Sequence, residues 1–200
     1  MIRKLLVIVI VALIYPMANA GVTGIGFGIH GGIVSGYNNE TLENSVKDAY
    51  SDITDFSLSK NMADLGFDIN IGTLRVIDIE GSFDYGWKKQ KVYQDISLTY
   101  SMLSATAGLK KSLLIGPISP FVGAGAGLYR SAYSIGNGSV IVVLPDNETK
   151  TGYYVKGGLG LNIPMFPLKP FAEFKYNQVQ TSGKATKYYQ ILAGLTFELP

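Results

Sequence analysis

The sequence predicts an all-β chain: an eight-stranded antiparallel up-and-down transmembrane β-barrel, preceded by a cleaved signal peptide. Three observations carry this. The first twenty residues have the build of an export leader, and windows along the rest of the chain alternate apolar with polar or small residues at period two. The connections between those windows alternate between short and long.

The leader reads MIRKLLVIVIVALIYPMANA. Arg3 and Lys4 form a basic start, Leu5 to Tyr15 an apolar core, and Ala18-Asn19-Ala20 a small-residue cleavage site. A spanning helix needs roughly 20 apolar residues; this run is shorter, and Pro16 breaks it. Residues 1–20 are therefore expected to be removed as a signal peptide, and 21–200 to form one membrane-spanning β-barrel domain. Seventeen basic residues less Arg3 and Lys4 leave fifteen against fifteen acidic ones, so the mature charge is zero. A nucleic-acid partner, which calls for a basic excess, is not expected. With no cysteine there is no disulfide framework, thiolate metal site or lipidated N-terminal cysteine.

Behind the leader, Ile25, Phe27, Ile29 and Ile33 alternate with Gly24, Gly26, Gly28, His30 and Gly32. Leu65, Phe67, Ile69 and Ile71 alternate with Asp64, Gly66, Asp68 and Asn70. Ile77, Ile79, Phe83, Tyr85 and Trp87 alternate with Asp78, Glu80, Ser82, Asp84 and Gly86. The fourth window changes parity, from Ile96, Leu98, Tyr100 and Met102 to Leu103, Ala105, Ala107 and Leu109, which predicts a β-bulge near Met102. In the fifth, Val122, Ala124, Ala126 and Leu128 oppose glycines. Tyr153, Val155, Leu159 and Leu161 mark the sixth, and Ala172, Phe174 and Tyr176 the seventh. Tyr189, Ile191, Ala193, Leu195, Phe197 and Leu199 mark the last. The predicted strands are 23–37, 62–72, 74–87, 93–112, 119–133, 151–163, 169–180 and 186–199. Short connections follow the second, fourth and sixth. Longer ones follow the odd strands, at Asn38 to Asn61, Lys88 to Lys91, Ser134 to Lys150 and Thr181 to Ala185. Short turns at one end and long loops at the other are the pattern of a membrane barrel.

A soluble eight-stranded barrel alternates too, with its apolar face inside. Three features turn the apolar face outward. The polar parity is rich in glycine, which weakens a water-facing strand but lets a narrow lumen close. Tyr37, Tyr85, Trp87, Tyr93, Tyr129, Tyr133, Tyr153, Tyr176 and Tyr189 gather at the long-loop ends, and Phe166, Phe171 and Phe197 near the other, as two aromatic girdles. The polar parity also carries both signs of charge. Asp68, Asp78, Glu80, Asp84, Lys156, Glu173 and Lys175 are expected to form a structural lumen network, with Arg130 as a further basic partner. On this reading the last strand touches lipid and closes the sheet against the first, leaving no edge for hydrocarbon to desolvate.

The segment PFVGAGAGLYR, Pro120 to Arg130, looks like the Pro-aromatic-Val-Gly-x-Gly-x-Gly strand of one group of proteins, and Gly194, Phe197 and Leu199 are similar to its C-terminal assembly signal. With the eight strands, the chain resembles the small outer-membrane proteins of Gram-negative bacteria, the OmpA/OmpX-like β-barrel superfamily. It departs in ending on Pro200 rather than phenylalanine, and in Leu192 where the signal usually has a polar residue. The resemblance implies an outer-membrane location, insertion by the barrel-assembly machinery, contact with outer-membrane lipid and lipopolysaccharide, and a monomer.

Catalytic chemistry finds little support. The runs Gly24-x-Gly26-x-Gly28 and Gly123-x-Gly125-x-Gly127 lack the spacing and helix of a phosphate cradle. His30 is the only histidine and falls on the lumen parity, so a lumen hydrogen bond is expected, and no catalytic, cofactor or metal site. Asn39-Glu40-Thr41, Asn137-Gly138-Ser139 and Asn147-Glu148-Thr149 match a glycosylation pattern, which in a bacterial chain marks only exposed loops. Lys88, Lys89, Lys91, Lys184 and Lys187 form a solvated rim that suits lipopolysaccharide phosphates. The longest loop, Asn38 to Asn61, has apolar Leu42, Val46, Ile53, Phe56 and Leu58 with which to pack over the barrel mouth or extend the strands. The function expected is non-enzymatic: envelope integrity or surface interaction through the loops. The alternatives are a narrow OmpW-like channel for small apolar molecules and, behind it, a lipid-A-modifying enzyme.

Overall fold

The computed structural model describes residues 24–49, 57–74, 77–93, 96–113, 117–136, 149–163, 168–180 and 185–199. The leader, Ile53, Phe56, Phe166 and Lys184 lie outside them. Eight strands follow in order: β1 (Gly24–Ser35), β2 (Met62–Leu74), β3 (Ile77–Tyr93), β4 (Ile96–Ser112), β5 (Ile118–Gly136), β6 (Thr149–Leu161), β7 (Leu168–Val179) and β8 (Thr186–Leu199). Each pairs antiparallel with its neighbour, and β8 returns to β1 from Ile25↔Leu199 to Ser35↔Tyr189, closing the barrel.

Closure satisfies every strand edge inside the sheet, which is the condition for crossing hydrocarbon. The outer face is apolar: Ile29 and Val122 are each 62% exposed, and Leu65, Val155 and Ile191 also stand free. Such a surface is unfavourable in water and suits a bilayer. Tyr189 and Leu199 are ten residues apart on β8. At ~3.3 Å per residue and a tilt of ~40°, that is a rise of about 25 Å, the height of a lipid-facing band. Tyr85 and Trp87 stack at 5.6 Å, and Tyr176 and Tyr189 lie at 5.3 Å, forming one aromatic girdle; Phe197, paired with Phe27 and facing outward like it, lies toward the other end.

Several expected girdle members point the other way. Tyr37 and Tyr129 are buried, Tyr133 packs against the same interior cluster, and the ring of Phe171 lies inside over Gly194. The bulge expected near Met102 is absent: Tyr85↔Leu103, Gly86↔Met102 and Trp87↔Ser101 pair without interruption. The parity of β4 never changes; its surroundings do. Leu103 and Leu109 face outward within the lipid band, whereas Leu98, Tyr100 and Met102 face inward above it, where water lies outside and a second apolar core lies within. For the same reason the segment Lys88 to Lys91 is not a loop. It continues β3 as far as Tyr93, paired with β4 down to Ile96. The pairing of β4 with β5 likewise reaches Gly136, so these three strands project beyond the girdle as a wall.

The long loop contains a helix, α1 (Glu40–Ala49). The Asn39 side chain accepts from the Leu42 amide at 3.0 Å, an N-cap that satisfies one of the free first-turn donors. Glu40 and Glu43 in the first turn and Lys47 in the last suit the helix dipole, and Lys47 donates to Glu43 at 2.7 Å.

Candidate functional site: the lumen and its capped mouth

Alternation sends every second strand residue inward, and eight strands enclose only enough room for side chains. Large and small residues therefore face each other across strand pairs: His30↔Gly66, Phe121↔Gly158, Tyr154↔Gly125 and Phe171↔Gly194. A Cβ on Gly194 would meet the Ile29 carbonyl at 2.3 Å and the Phe171 ring at 2.7 Å. The lumen glycines are thus the spaces that the rings fill.

Two polar layers occupy the middle. In the lower one, Lys156 bridges Glu80 and Glu173, the latter at 2.8 Å. Lys110 adds a contact to Glu80 at 3.7 Å and donates to Asn70 at 2.7 Å. In the upper one, Asp84 is the hub. One oxygen receives Lys175 at 3.1 Å, Ser104 at 2.9 Å and Ser82 at 3.2 Å, while the other meets His30 Nε2 at 3.0 Å. His30 Nδ1 lies 2.7 Å from Asp68. Above them Gln190 donates to Asp64 and receives from Asn177, which also accepts from Tyr129.

Of the charges singled out in the sequence, Asp68, Glu80, Asp84, Lys156, Glu173 and Lys175 meet in this network. Asp78 is half-buried near the short-turn end, opposite Lys110 in the ladder. Arg130 is not a member: β5 turns it outward, opposite Leu103. Lys110, Asp64, Asn70, Asn177 and Gln190 were missed. Lys110 sits just past the apolar run of β4 and reads as a strand end, yet its parity, matching Gly108 and Thr106, was the available signal. At the chain's end, Gly194 lies beneath Phe171 while Phe197 and Leu199 face outward.

Above the polar layers the mouth is filled. Leu42 and Val46 of α1 and Leu58 beyond it pack with Val34, Tyr37, Met62, Leu98, Tyr100, Met102 and Tyr188 into one apolar cluster. Polar contacts fasten this cap to the projecting wall. Gln90 donates to the Ser57 carbonyl at 2.8 Å and accepts from the Ser59 amide at 2.7 Å, and the Tyr100 hydroxyl donates to the Ser59 carbonyl. Asn39 reaches Tyr133 at 2.5 Å. The Glu43 carboxylate accepts from the Leu58 amide at 3.2 Å; the Lys47 ammonium, with help from that amide, holds its carboxyl below the ordinary value despite partial burial. On the outer face Lys89 and Lys91 follow Trp87 along β3, and Lys187 stands beside Gln178.

A closed antiparallel barrel of eight strands with a lipid-facing band defines the chain as a β-barrel of the outer-membrane type. Solved structures agree on the fold. Neisserial surface protein A (NspA) superposes with a TM-score of 0.58 at 12% identity, over 90% of this chain and 99% of that one. Ail, the attachment invasion locus protein of Yersinia pestis, in complex with the heparin analogue sucrose octasulfate, gives 0.53 at 17% identity, over 88% and 97%. No family model matches the chain, and no curated protein does.

Proposed function

We propose that this chain is a sealed, non-enzymatic outer-membrane barrel whose extracellular end is an interaction surface. The observation that carries this is the filled interior: α1 caps the mouth with apolar side chains, and paired charges cross the lumen below it. An open aqueous path belongs to barrels of about sixteen strands. Both ring nitrogens of His30 are taken by carboxylates, so no hydroxyl stands where the imidazole would activate it. That supports the non-enzymatic reading. The wall of β3, β4 and β5, buttressed by α1, holds a rigid surface above the headgroups, and Lys89 and Lys91 sit where they would meet lipopolysaccharide phosphates. Gly194, Phe197 and Leu199 would serve the assembly machinery, and a monomer suffices because the sheet has no open edge.

Purified protein in planar bilayers is expected to show no steady conductance, and proteoliposomes no swelling in sugars. Deleting Glu43 to Ser57 should leave insertion and heat-modifiable migration intact while abolishing any adhesion or ligand binding. Sugar passage by the intact protein would replace this reading with the narrow channel; undiminished adhesion after the deletion would remove the loop from it.

A further inference from the structure

The upper lumen holds more carboxyl groups than basic side chains. Three buried carboxyl groups, Asp64, Asp68 and Asp84, share it with one ammonium, Lys175, and one imidazole, His30. The lower layer has no surplus to lend, since Glu80 and Glu173 face Lys156 and Lys110. A net charge left in a buried, lipid-encircled site is strongly unfavourable.

An orphaned atom marks where the missing charge belongs. Asp64 is 4% exposed; its Oδ2 accepts from Gln190 at 3.1 Å, but its Oδ1 finds no donor among the described residues. The hydroxyl of Tyr188, on the same inner face of β8 as Gln190, is fully buried and also lacks a partner among them.

A ring nitrogen of His30 and one oxygen each of Asp64 and Asp84 lie within 4.8 Å of one another. His30 Nε2 and Asp84 Oδ1 are 3.0 Å apart, close to the roughly 3 to 3.4 Å between two ligands that each stand about 2.0–2.1 Å from one cation. The far oxygen of each carboxylate is already pinned, Asp64 by Gln190 and Asp84 by Lys175 and two serines. Asp68 receives Nδ1–H and so aims the other nitrogen's lone pair inward, the carboxylate–histidine–metal arrangement. Gly66 supplies the room: a Cβ there would meet His30 Nε2 at 2.2 Å.

We propose that the upper lumen binds one divalent transition cation through His30 Nε2, Asp84 and Asp64, with Asp68 orienting the imidazole. A divalent ion there would offset the excess of carboxyl groups over basic side chains. The mixed nitrogen and oxygen set favours Zn²⁺, Mn²⁺ or Co²⁺ over Mg²⁺ and Ca²⁺, which take oxygen alone. The lone histidine hid the set in the sequence, because its partners come from β2 and β3. With the mouth capped, the ion would enter as the barrel folds.

The test refolds the full mature barrel in detergent with Zn²⁺, Mn²⁺, Co²⁺ or EDTA, desalts it, and measures metal content, visible Co²⁺ absorption and Tm. The expected result is near one equivalent of a cation per barrel, Co²⁺ ligand-field bands, and a higher Tm than with EDTA. Asp64→Asn and His30→Gln should each lower retention at least tenfold, and Asp68→Asn should weaken it by about 10–100-fold. Should a variant fail to fold, the Co²⁺ spectrum of the unaltered barrel decides. No retained metal with an unchanged Tm overturns the proposal, as does metal held equally by the variants.

Discussion

Lys156 is held between Glu80 and Glu173, and nearly all of its surface is buried. Replacing it by Met keeps the stem's volume but leaves two carboxylates facing each other. The expected loss is about 3–5 kcal/mol of barrel stability, read from urea unfolding in detergent. Glu80→Leu should cost less, because Lys156 keeps Glu173; lost binding or turnover at unchanged stability would instead make Glu80 a working site. Glycines separate by face in the same way. Gly194→Ala drives a Cβ into the Ile29 carbonyl and the Phe171 ring and should cost ~1–3 kcal/mol. Gly81→Ala meets nothing nearer than 3.9 Å and should be neutral, as thermal unfolding of the two variants would show. The alternation made Glu80, Asp84 and Lys175 legible as lumen residues. Which carboxylate each cation meets was not legible, because the eight strands set those pairings through their stagger.

At the scale of an element, α1 depends on its neighbours. Ten residues are too few for a helix to persist alone in water, so its stability comes from Leu42 and Val46, both fully buried. Leu42→Ala should loosen the cap by about 2–5 kcal/mol, detected as protease cleavage within 38–61 while the barrel still migrates as folded. The cap also has a pH limit. The Glu43 carboxyl titrates below its ordinary value, so its contribution is complete above the unfolded value of about 4.3 and is lost as pH falls through the folded one. Protection of the Leu58 amide from hydrogen exchange should therefore drop on acidification below pH ~4, and be low at both pH values in Glu43→Gln.

For the whole molecule, depth in the bilayer governs tolerance. Ile29 lies near the middle of the outward run from Ile25 to Ile33 and is 62% exposed, so Ile29→Arg should cost ~2–4 kcal/mol. The chain already carries Arg130 outward beside Leu103 and Thr149, level with the aromatic girdle, where the same charge costs roughly 0–1 kcal/mol. Equal costs at the two depths, measured by unfolding in lipid vesicles, would contradict the band assigned from Tyr189 to Leu199.

By itself the sequence determined the period-two strands, their count and order, the lipid-facing parity and the lumen position of most charges. Those follow from local rules: side chains alternate along a strand, and lipid accepts only apolar ones. The tertiary structure decided what depends on neighbours in space. Leu98, Tyr100 and Met102 look like a parity change because the sequence does not mark where β4 leaves the bilayer, the height at which the wet side passes from inside to outside. Tyr37, Tyr129 and Tyr133 look like girdle residues for the same reason. The helix in the long loop had its cap at Asn39 and its apolar pair Leu42 and Val46 in plain view, but a short amphipathic segment has no fate until a surface exists to bury it. That surface is the inner face of β1, β2, β4 and β8, brought together only when the barrel closes.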